Sequence, residues 1–274
     1  MVKAAAVQMD VALARPEDNK AKILKLARET QADLVVFPEC ANSGYAFTSV
    51  EEAMPYADPI PGAFVDELVA VAKEHERCLA VGLLKKQGGK LYNSAVFITP
   101  QGEVHLYRKT HMPFIGLDRF AAPGDSLGLF DTPLGKVGLA ICYEWRFPEV
   151  ARCLALKGAD LLLGLSNWPS GAVVIPSLLL PARAAENRVW IVSSNRVGLE
   201  RGTEFIGRSA IIDPNGNFAA NLEGPAEGVI QAELDLSLAH NKRMVKIPGE
   251  YEVDLWQDRC PSLYAATARE CDHD

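Results

Sequence analysis

The sequence predicts an α/β fold, and three observations predict it. Short apolar runs rich in branched residues alternate with amphipathic segments of helical period. Hydrophobic residues fill 49% of the 274 positions, enough to bury a substantial core within the size range of one α/β domain. Neither a linker nor a low-complexity stretch interrupts the pattern, so a single unit over 1–274 is expected.

The elements follow in order. Ala4–Met9 is a buried strand, and Pro16–Thr30 an amphipathic helix carrying Ile23, Leu24, Leu26 and Ala27 among charges. Ala32–Pro38 is a second buried strand stopped by proline. A helix over Pro61–Glu76 precedes the strand Leu79–Leu84. Leu91–Thr99 and Glu103–Arg108 flank Pro100-Gln101-Gly102, a hairpin signal. Lys136–Ile141 (strand), Pro148–Lys157 (helix) and Asp160–Leu165 (strand) come next, then a helix over Ile175–Asn187 and a strand over Val189–Ser194. Arg208–Asp213 and Phe218–Asn221 flank a second hairpin turn at Pro214-Asn215-Gly216.

A weak internal echo runs through this order. Ile23–Glu39 reads as helix, Ala-Asp, apolar strand, then Pro38-Glu39; Val150–Pro169 reads as helix, Ala-Asp, apolar strand, then Ser166-Asn167-Trp168-Pro169. Two related halves whose strand ends meet at one site would give this echo, and so would common turn chemistry between helix and strand.

Charge narrows the function. A net charge of −7 with no Lys/Arg cluster denser than Lys242, Arg243 and Lys246 argues against nucleic acid, whose binding needs a basic face. The most apolar stretch, Leu161–Ala182, is broken by Pro169, Pro176 and Pro181 and contains Asn167, so no membrane span is expected. The N-terminal MVKAAAVQMD reaches Gln8 and Asp10 quickly and reads as a strand rather than a signal peptide. Six cysteines without a CxxC pair read as reduced thiols of a cytoplasmic protein. HExxH, GxGxxG and GxxxxGK[ST] are all missing, so neither a metal nor a cofactor is expected.

Three residues could carry chemistry. Cys142 ends the apolar run Gly138–Ile141 just before a helix start at Pro148, an elbow that exposes a side chain and presents backbone N–H groups. Glu39 ends the strand Leu34–Phe37, and Lys109 follows the strand Val104–Tyr107. Taken singly, each has an ordinary reading: a core cysteine, a loop cap and a snorkelling surface lysine. Cys142 has no evident histidine partner, since His75, His105, His111, His240 and His273 lie in unrelated contexts. No GxSxG elbow supports a serine nucleophile.

Phe37-Pro38-Glu39, Gly44-Tyr45, Tyr107-Arg108-Lys109 and Cys142-Tyr143-Glu144 with Phe147-Pro148-Glu149 resemble the signature blocks of the nitrilase, or carbon–nitrogen hydrolase, superfamily. Ser166–Pro169, Arg183–Arg188, Asn195–Gly198 and Gly207–Ser209 are similar to its supporting blocks, in the same order. The resemblance implies a four-layer αββα sandwich and a Glu39–Lys109–Cys142 site. It also implies a homodimer or higher homo-oligomer, with the extension from about 241 in dimer contacts. Within it, Cys142-Tyr143-Glu144 is closer to amidase-type members than to the Cys-Trp-Glu of nitrilases. The implied reaction is hydrolysis of a small amide to acid and ammonia through a thioester on Cys142. Glu39 serves as base, with Lys109 and the backbone N–H of Tyr143 as oxyanion donors. N-carbamoyl or nitrile hydrolysis at the same site, or a non-catalytic binding member of the fold, are the alternatives.

The sequence departs from the family where a second glutamate is common after the lysine. Asp118 is the one carboxylate in His111–Phe120, and it suits that role or an ordinary one, as a partner of Arg119 or a loop cap, equally. Candidate pocket residues are Tyr45, Phe114, Glu144, Asn167 and Trp168, with core packing an equal explanation for Tyr45, Phe114 and Trp168.

Overall fold

Apolar runs without polar alternation belong to strands covered on both faces, and the computed structural model, which describes residues 1–268, places them so. Along the chain come β1 (Val2–Gln8), α1 (Pro16–Glu29), β2 (Leu34–Val36), α2 (Val50–Ala53), α3 (Ala63–Glu74), β3 (Cys78–Gln87), β4 (Lys90–Ile98) and β5 (Val104–Arg108). The second half holds β6 (Gly128–Thr132), β7 (Gly135–Ile141), α4 (Pro148–Leu156), β8 (Leu161–Ser166), α5 (Leu180–Asn187) and β9 (Trp190–Asn195). Then follow β10 (Val197–Glu200), β11 (Thr203–Ile206), β12 (Ala210–Ile212), β13 (Phe218–Asn221), β14 (Gly228–Leu234), α6 (Ser237–His240), β15 (Arg243–Ile247) and β16 (Tyr251–Asp254).

Two six-stranded sheets result, ordered β14-β1-β2-β3-β4-β5 and β13-β12-β9-β8-β7-β6. Each has three parallel central strands flanked by antiparallel ones. Side chains alternate across the first sheet. Ala4, Ala6, Leu34, Val36, Ala80 and Phe97 face the second sheet, while Ala5, Val7, Val35, Leu79 and Val81 pack with Ile23, Leu68 and Val71 of α1 and α3. On the far side α4 and α5 cover the second sheet through Val150, Leu154, Leu180 and Ala184. The layers are therefore helices, sheet, sheet, helices: the αββα sandwich. Burying one such leucine contributes about 1.5–3 kcal/mol.

The internal echo maps onto matching places. Asp33 leads into β2 and Asp160 into β8, and each of these strands is central in its sheet. Both hairpin expectations correspond to antiparallel pairs, β4–β5 and β12–β13. One element differs from expectation: Ile175–Leu179 is a π-helical turn leading into the shorter α5. Pro181 has no N–H to give to the carbonyl four residues back, so the ladder shifts register there. The strands β6, β10, β11 and β14–β16 have no counterpart in the expected order. β14 is a half-buried edge whose alternation is diluted by Gln231 and Glu233, and β15 is exposed throughout. Among the described residues, no helix is long and apolar enough to cross a membrane. Cys271 and His273 lie outside the described residues.

Candidate active site

The carboxyl ends of β2, β5, β7 and β8 deliver Glu39, Lys109, Cys142 and Asn167. Glu39 follows Pro38, whose carbonyl accepts from Gly82 N–H of β3 at 3.1 Å; Ala41 N–H donates back to Gly82 O at 2.8 Å. A Cβ on residue 82 would lie 2.3 Å from Pro38 O and 2.5 Å from Glu39 Cα, so the approach requires glycine. Lys109 continues the β4–β5 pairing by donating its N–H to Asn93 O at 2.9 Å.

Around Lys109 the side chains form a closed buried cluster. Its Nζ donates to Glu39 Oε1 at 2.8 Å and to Asp118 Oδ2 at 2.6 Å. Asn93 Nδ2 donates to Glu39 Oε1 at 2.6 Å and to Asp118 Oδ1 at 2.9 Å, bridging the carboxylates. Tyr45 Oη donates to Asp118 Oδ2 at 2.8 Å. Asp118 sits in a one-turn 3₁₀ helix, Gly116–Arg119, and is buried. Its neighbour Arg119 instead donates to the carbonyls of Gly116 and Phe47. Glu39 Oε2 has no partner among the described residues.

The electrostatics follow from two carboxylates around one ammonium. Burial, the largest effect, raises the Glu39 pKa; Lys109 opposes it, and the Asp118 charge adds to it. Burial alone would lower Lys109, but Asp118 and Glu39 outweigh it and hold the ammonium well above its usual range. Lys109 is thus a fixed cation.

Cys142 stands at φ 51°, a left-handed backbone that non-glycine residues seldom adopt. It starts the 3₁₀ turn Cys142–Arg146, and α4 starts at Pro148. Burial first, then the Glu39 charge, push the thiol pKa well up; Lys109 and the backbone N–H of Asn167 pull the other way. Lys109 favours the thiolate, but burial and the Glu39 charge outweigh it and favour the protonated thiol at rest. Glu144 fixes the elbow. Its carboxylate accepts from Ile141 N–H at 2.6 Å, Tyr107 Oη at 2.6 Å, Thr110 Oγ1 at 2.7 Å and Thr110 N–H at 2.9 Å. Those bonds tie the residue after Lys109 to the residue before Cys142; His111 first, then these donors, hold the Glu144 carboxyl below its usual range despite burial.

Cys142, only 8% exposed, opens onto a cavity of about 70 Å³ lined also by Tyr45, Ile115, Asn167, Thr203 and Phe205. Three expected pocket residues lie elsewhere. Phe114 is 89% exposed and projects into solvent; its neighbours Ile115 and Gly116 line the cavity instead. Glu144 is fully buried under the elbow, with its oxygens consumed as described. Trp168 lies behind the nucleophile, donating Nε1–H to Cys142 O at 3.2 Å. Tyr143, half-buried, packs its ring edge-on against Phe147, and His111 packs on the same ring.

Sequence reasoning missed Asn93, Arg196 and Glu200. Arg196, fully buried, pairs with Glu200 and with Asp10, the latter at 3.0 Å. Glu200 Oε2 in turn accepts from the N–H groups of Tyr45 (3.0 Å) and Ala46 (2.8 Å), pegging the loop that carries Tyr45. A polar residue inside the apolar strand Leu91–Thr99 was the available signal for Asn93, and a charge directly after β9 was the signal for Arg196.

This fold and the clustered carboxylates, ammonium and elbow thiol define a hydrolase class that comparison makes explicit. The chain belongs to the carbon–nitrogen hydrolase family, the nitrilase superfamily, whose family model matches residues 3–244. It is 40% identical over 271 residues to a nitrilase of Pyrococcus abyssi, covering 96% of this chain and 99% of that one. It is 36% identical over 249 residues to omega-amidase NIT2-A of Xenopus laevis, covering 86% and 88%. The crystal structure of XC1258 from Xanthomonas campestris, a CN-hydrolase superfamily protein with an arsenic adduct in its active site, superposes with a TM-score of 0.78. It shares 26% identity, over 87% of this chain and 92% of that one. A carbon–nitrogen hydrolase from Helicobacter pylori shares the fold at a TM-score of 0.84 and 22% identity, with 98% of each chain covered. This protein is accordingly an enzyme that hydrolyses carbon–nitrogen bonds.

Proposed function

We propose that the enzyme hydrolyses a small amide to its carboxylic acid and ammonia through a thioester on Cys142. The observation that carries this reading is the left-handed elbow that presents Cys142 to a small cavity, with Glu39 and a Lys109 held in its charged form buried nearby. A relative named omega-amidase supports the amide, while the 40% identical relative named nitrilase keeps nitrile hydrolysis as the alternative.

Sulfur attacks the amide carbonyl carbon while Glu39 takes the thiol proton; the unpartnered Oε2 is the free acceptor. Burial raises Glu39, which makes it a stronger base toward that proton than a free carboxylate. Lys109 and the Tyr143 backbone N–H receive the oxyanion. The carbon–nitrogen bond breaks as Glu39 returns the proton to nitrogen, and ammonia leaves. Water, losing a proton to Glu39, then attacks the thioester; the acid departs and the proton returns to the thiol. Asp118 and Asn93 hold Glu39 and Lys109 in place.

The test is ammonia release from a panel of amides, N-carbamoyl amines and nitriles. Amides should react, a mass increment of the acyl group should appear on Cys142, and Cys142→Ala should abolish both. Turnover of nitriles with no amide turnover would sink the reading.

Two further assignments belong to it. We propose that two protomers pair through the extension from about residue 241, where β15 and β16 leave Met244, Val245, Ile247 and Tyr251 exposed. Sedimentation of the intact chain at micromolar concentration should give the dimer mass, and a monomer would refute the pairing. We also propose a cytoplasmic location, in keeping with the free thiols of the five described cysteines; fractionation of the source cells checks it.

A further inference from the structure

Asn167 is 1% exposed, yet neither its Nδ2 nor its Oδ1 has a hydrogen-bond partner among the described residues. Buried side-chain amides are almost always satisfied, so an orphan pair calls for a specific explanation. Its place supplies one, because Asn167 lines the cavity onto which Cys142 opens. The two residues adjoin: Asn167 follows the end of β8, and its successor Trp168 donates Nε1–H to Cys142 O at 3.2 Å.

Of the other polar groups near the cavity, the Thr203 hydroxyl also lines it, and three are occupied. The Tyr45 hydroxyl is engaged by Asp118 and Ile115 O. Lys109 is held between Glu39 and Asp118, and Arg196 between Glu200 and Asp10. The described cavity lining carries no charged side chain, and its walls include Ile115, Pro169 and Phe205. Glu39 and Lys109 lie outside that lining, so the scissile nitrogen and oxygen turn toward them and the acyl group fills the cavity. About 70 Å³ holds only a few heavy atoms.

We propose that Asn167 reads an uncharged hydrogen-bonding group on the acyl side, so that the preferred substrates are short amides with a neutral polar substituent beside the scissile carbonyl. The inference rests on the amide-hydrolase reading above. A side-chain amide offers one donor and one acceptor face, which suits a hydroxyl or a carbonyl. An anionic substituent would enter a cavity whose nearby cations are already neutralised, and an apolar one would leave Asn167 unpaired.

The test compares ammonia release from lactamide, isobutyramide (methyl in place of hydroxyl), propionamide and the anion succinamate, using the full chain. Lactamide should exceed both isobutyramide and succinamate in kcat/KM by about 10-fold or more. Asn167→Leu should bring the lactamide-to-isobutyramide ratio to about one, chiefly through KM on lactamide. Equal or reversed rates for lactamide and isobutyramide in the unaltered protein overturn the inference without needing any variant. So does succinamate as the best of the four, or a folded Asn167→Leu that keeps the preference. No ammonia from any amide, propionamide included, overturns the underlying reading as well; ammonia from propionamide without a preference for lactamide overturns the inference alone.

Discussion

Lys109 Nζ lies 2.6 Å from Asp118 Oδ2, closer than to Glu39 Oε1 at 2.8 Å. Asp118 is therefore a full member of the buried cluster. Its short side chain reaches because the Gly116–Arg119 turn is drawn inward, with Leu117 N–H donating to Tyr45 O at 3.0 Å.

Asp118→Asn removes the charge that most strongly holds Lys109 protonated. Turnover should fall by about 10²-fold, the usual cost of a slightly misplaced catalytic group. Asp118→Glu should not rescue it, because Tyr45, Asn93 and Lys109 already close around the carboxylate. Steady-state kinetics of both variants check this; a fully active Asp118→Glu would contradict it.

Glu39→Gln should lower turnover by about 10²–10⁴-fold, as expected for loss of a general base. Its effect on stability has the opposite sign. The folded pKa of Glu39 is raised, so its favourable contribution is complete below the unfolded carboxylate pKa of about 4.3 and is lost as pH rises through the folded value. Near neutral pH the ionised residue is a cost. Thermal midpoints should show Glu39→Gln equal to or above the parent near neutrality and lose that advantage in acid.

Alkylation of Cys142 offers a direct view of the thiol. With burial and the Glu39 charge holding its pKa up, iodoacetamide should react slowly near neutrality and faster as pH rises. Glu39→Gln should move that profile to lower pH, and Lys109→Met should move it higher. Peptide mapping of labelled Cys142 across pH measures both shifts, and a displacement in the reverse direction refutes the charge arrangement.

Gly82→Ala should damage activity from a position that touches no substrate. The new Cβ meets backbone atoms of Pro38 and Glu39, which cannot step aside without moving the carboxylate. A stability loss of about 1–3 kcal/mol is expected from the overpacking, with kcat reduced more than KM is raised. Denaturant titration and kinetics on the same preparation separate the two.

Glu200→Ala should act through the Tyr45 loop. It leaves buried Arg196 with Asp10 as its one carboxylate partner and frees the N–H groups of Tyr45 and Ala46. Breaking a buried ion pair costs about 3–5 kcal/mol, and the loosened cavity wall should raise KM. An unchanged melting temperature would show that this peg carries no weight.

Much of this was legible in the chain itself, for identifiable reasons. The parallel strands announced themselves because burial on both faces makes β1, β2, β7 and β8 nearly continuous apolar runs. Strand ends are local features, so Glu39, Lys109 and Cys142 could be picked out before their meeting was known. β14 and the hairpins β10–β11 and β15–β16 were illegible, since their burial is partial and set by what packs on them.

The sequence by itself determined the alternation of strands and helices, the elbow at Cys142 and the family. Each of these is written in nearest neighbours and short periodicity. Tertiary structure alone decided that Asn93 bridges two carboxylates, that Asp118 reaches Lys109, and that Phe114 faces water while Asn167 lines the cavity with the nucleophile. Those facts depend on distances between segments far apart in the chain. Only the packing of two sheets, and the loops pinned between them, sets such distances.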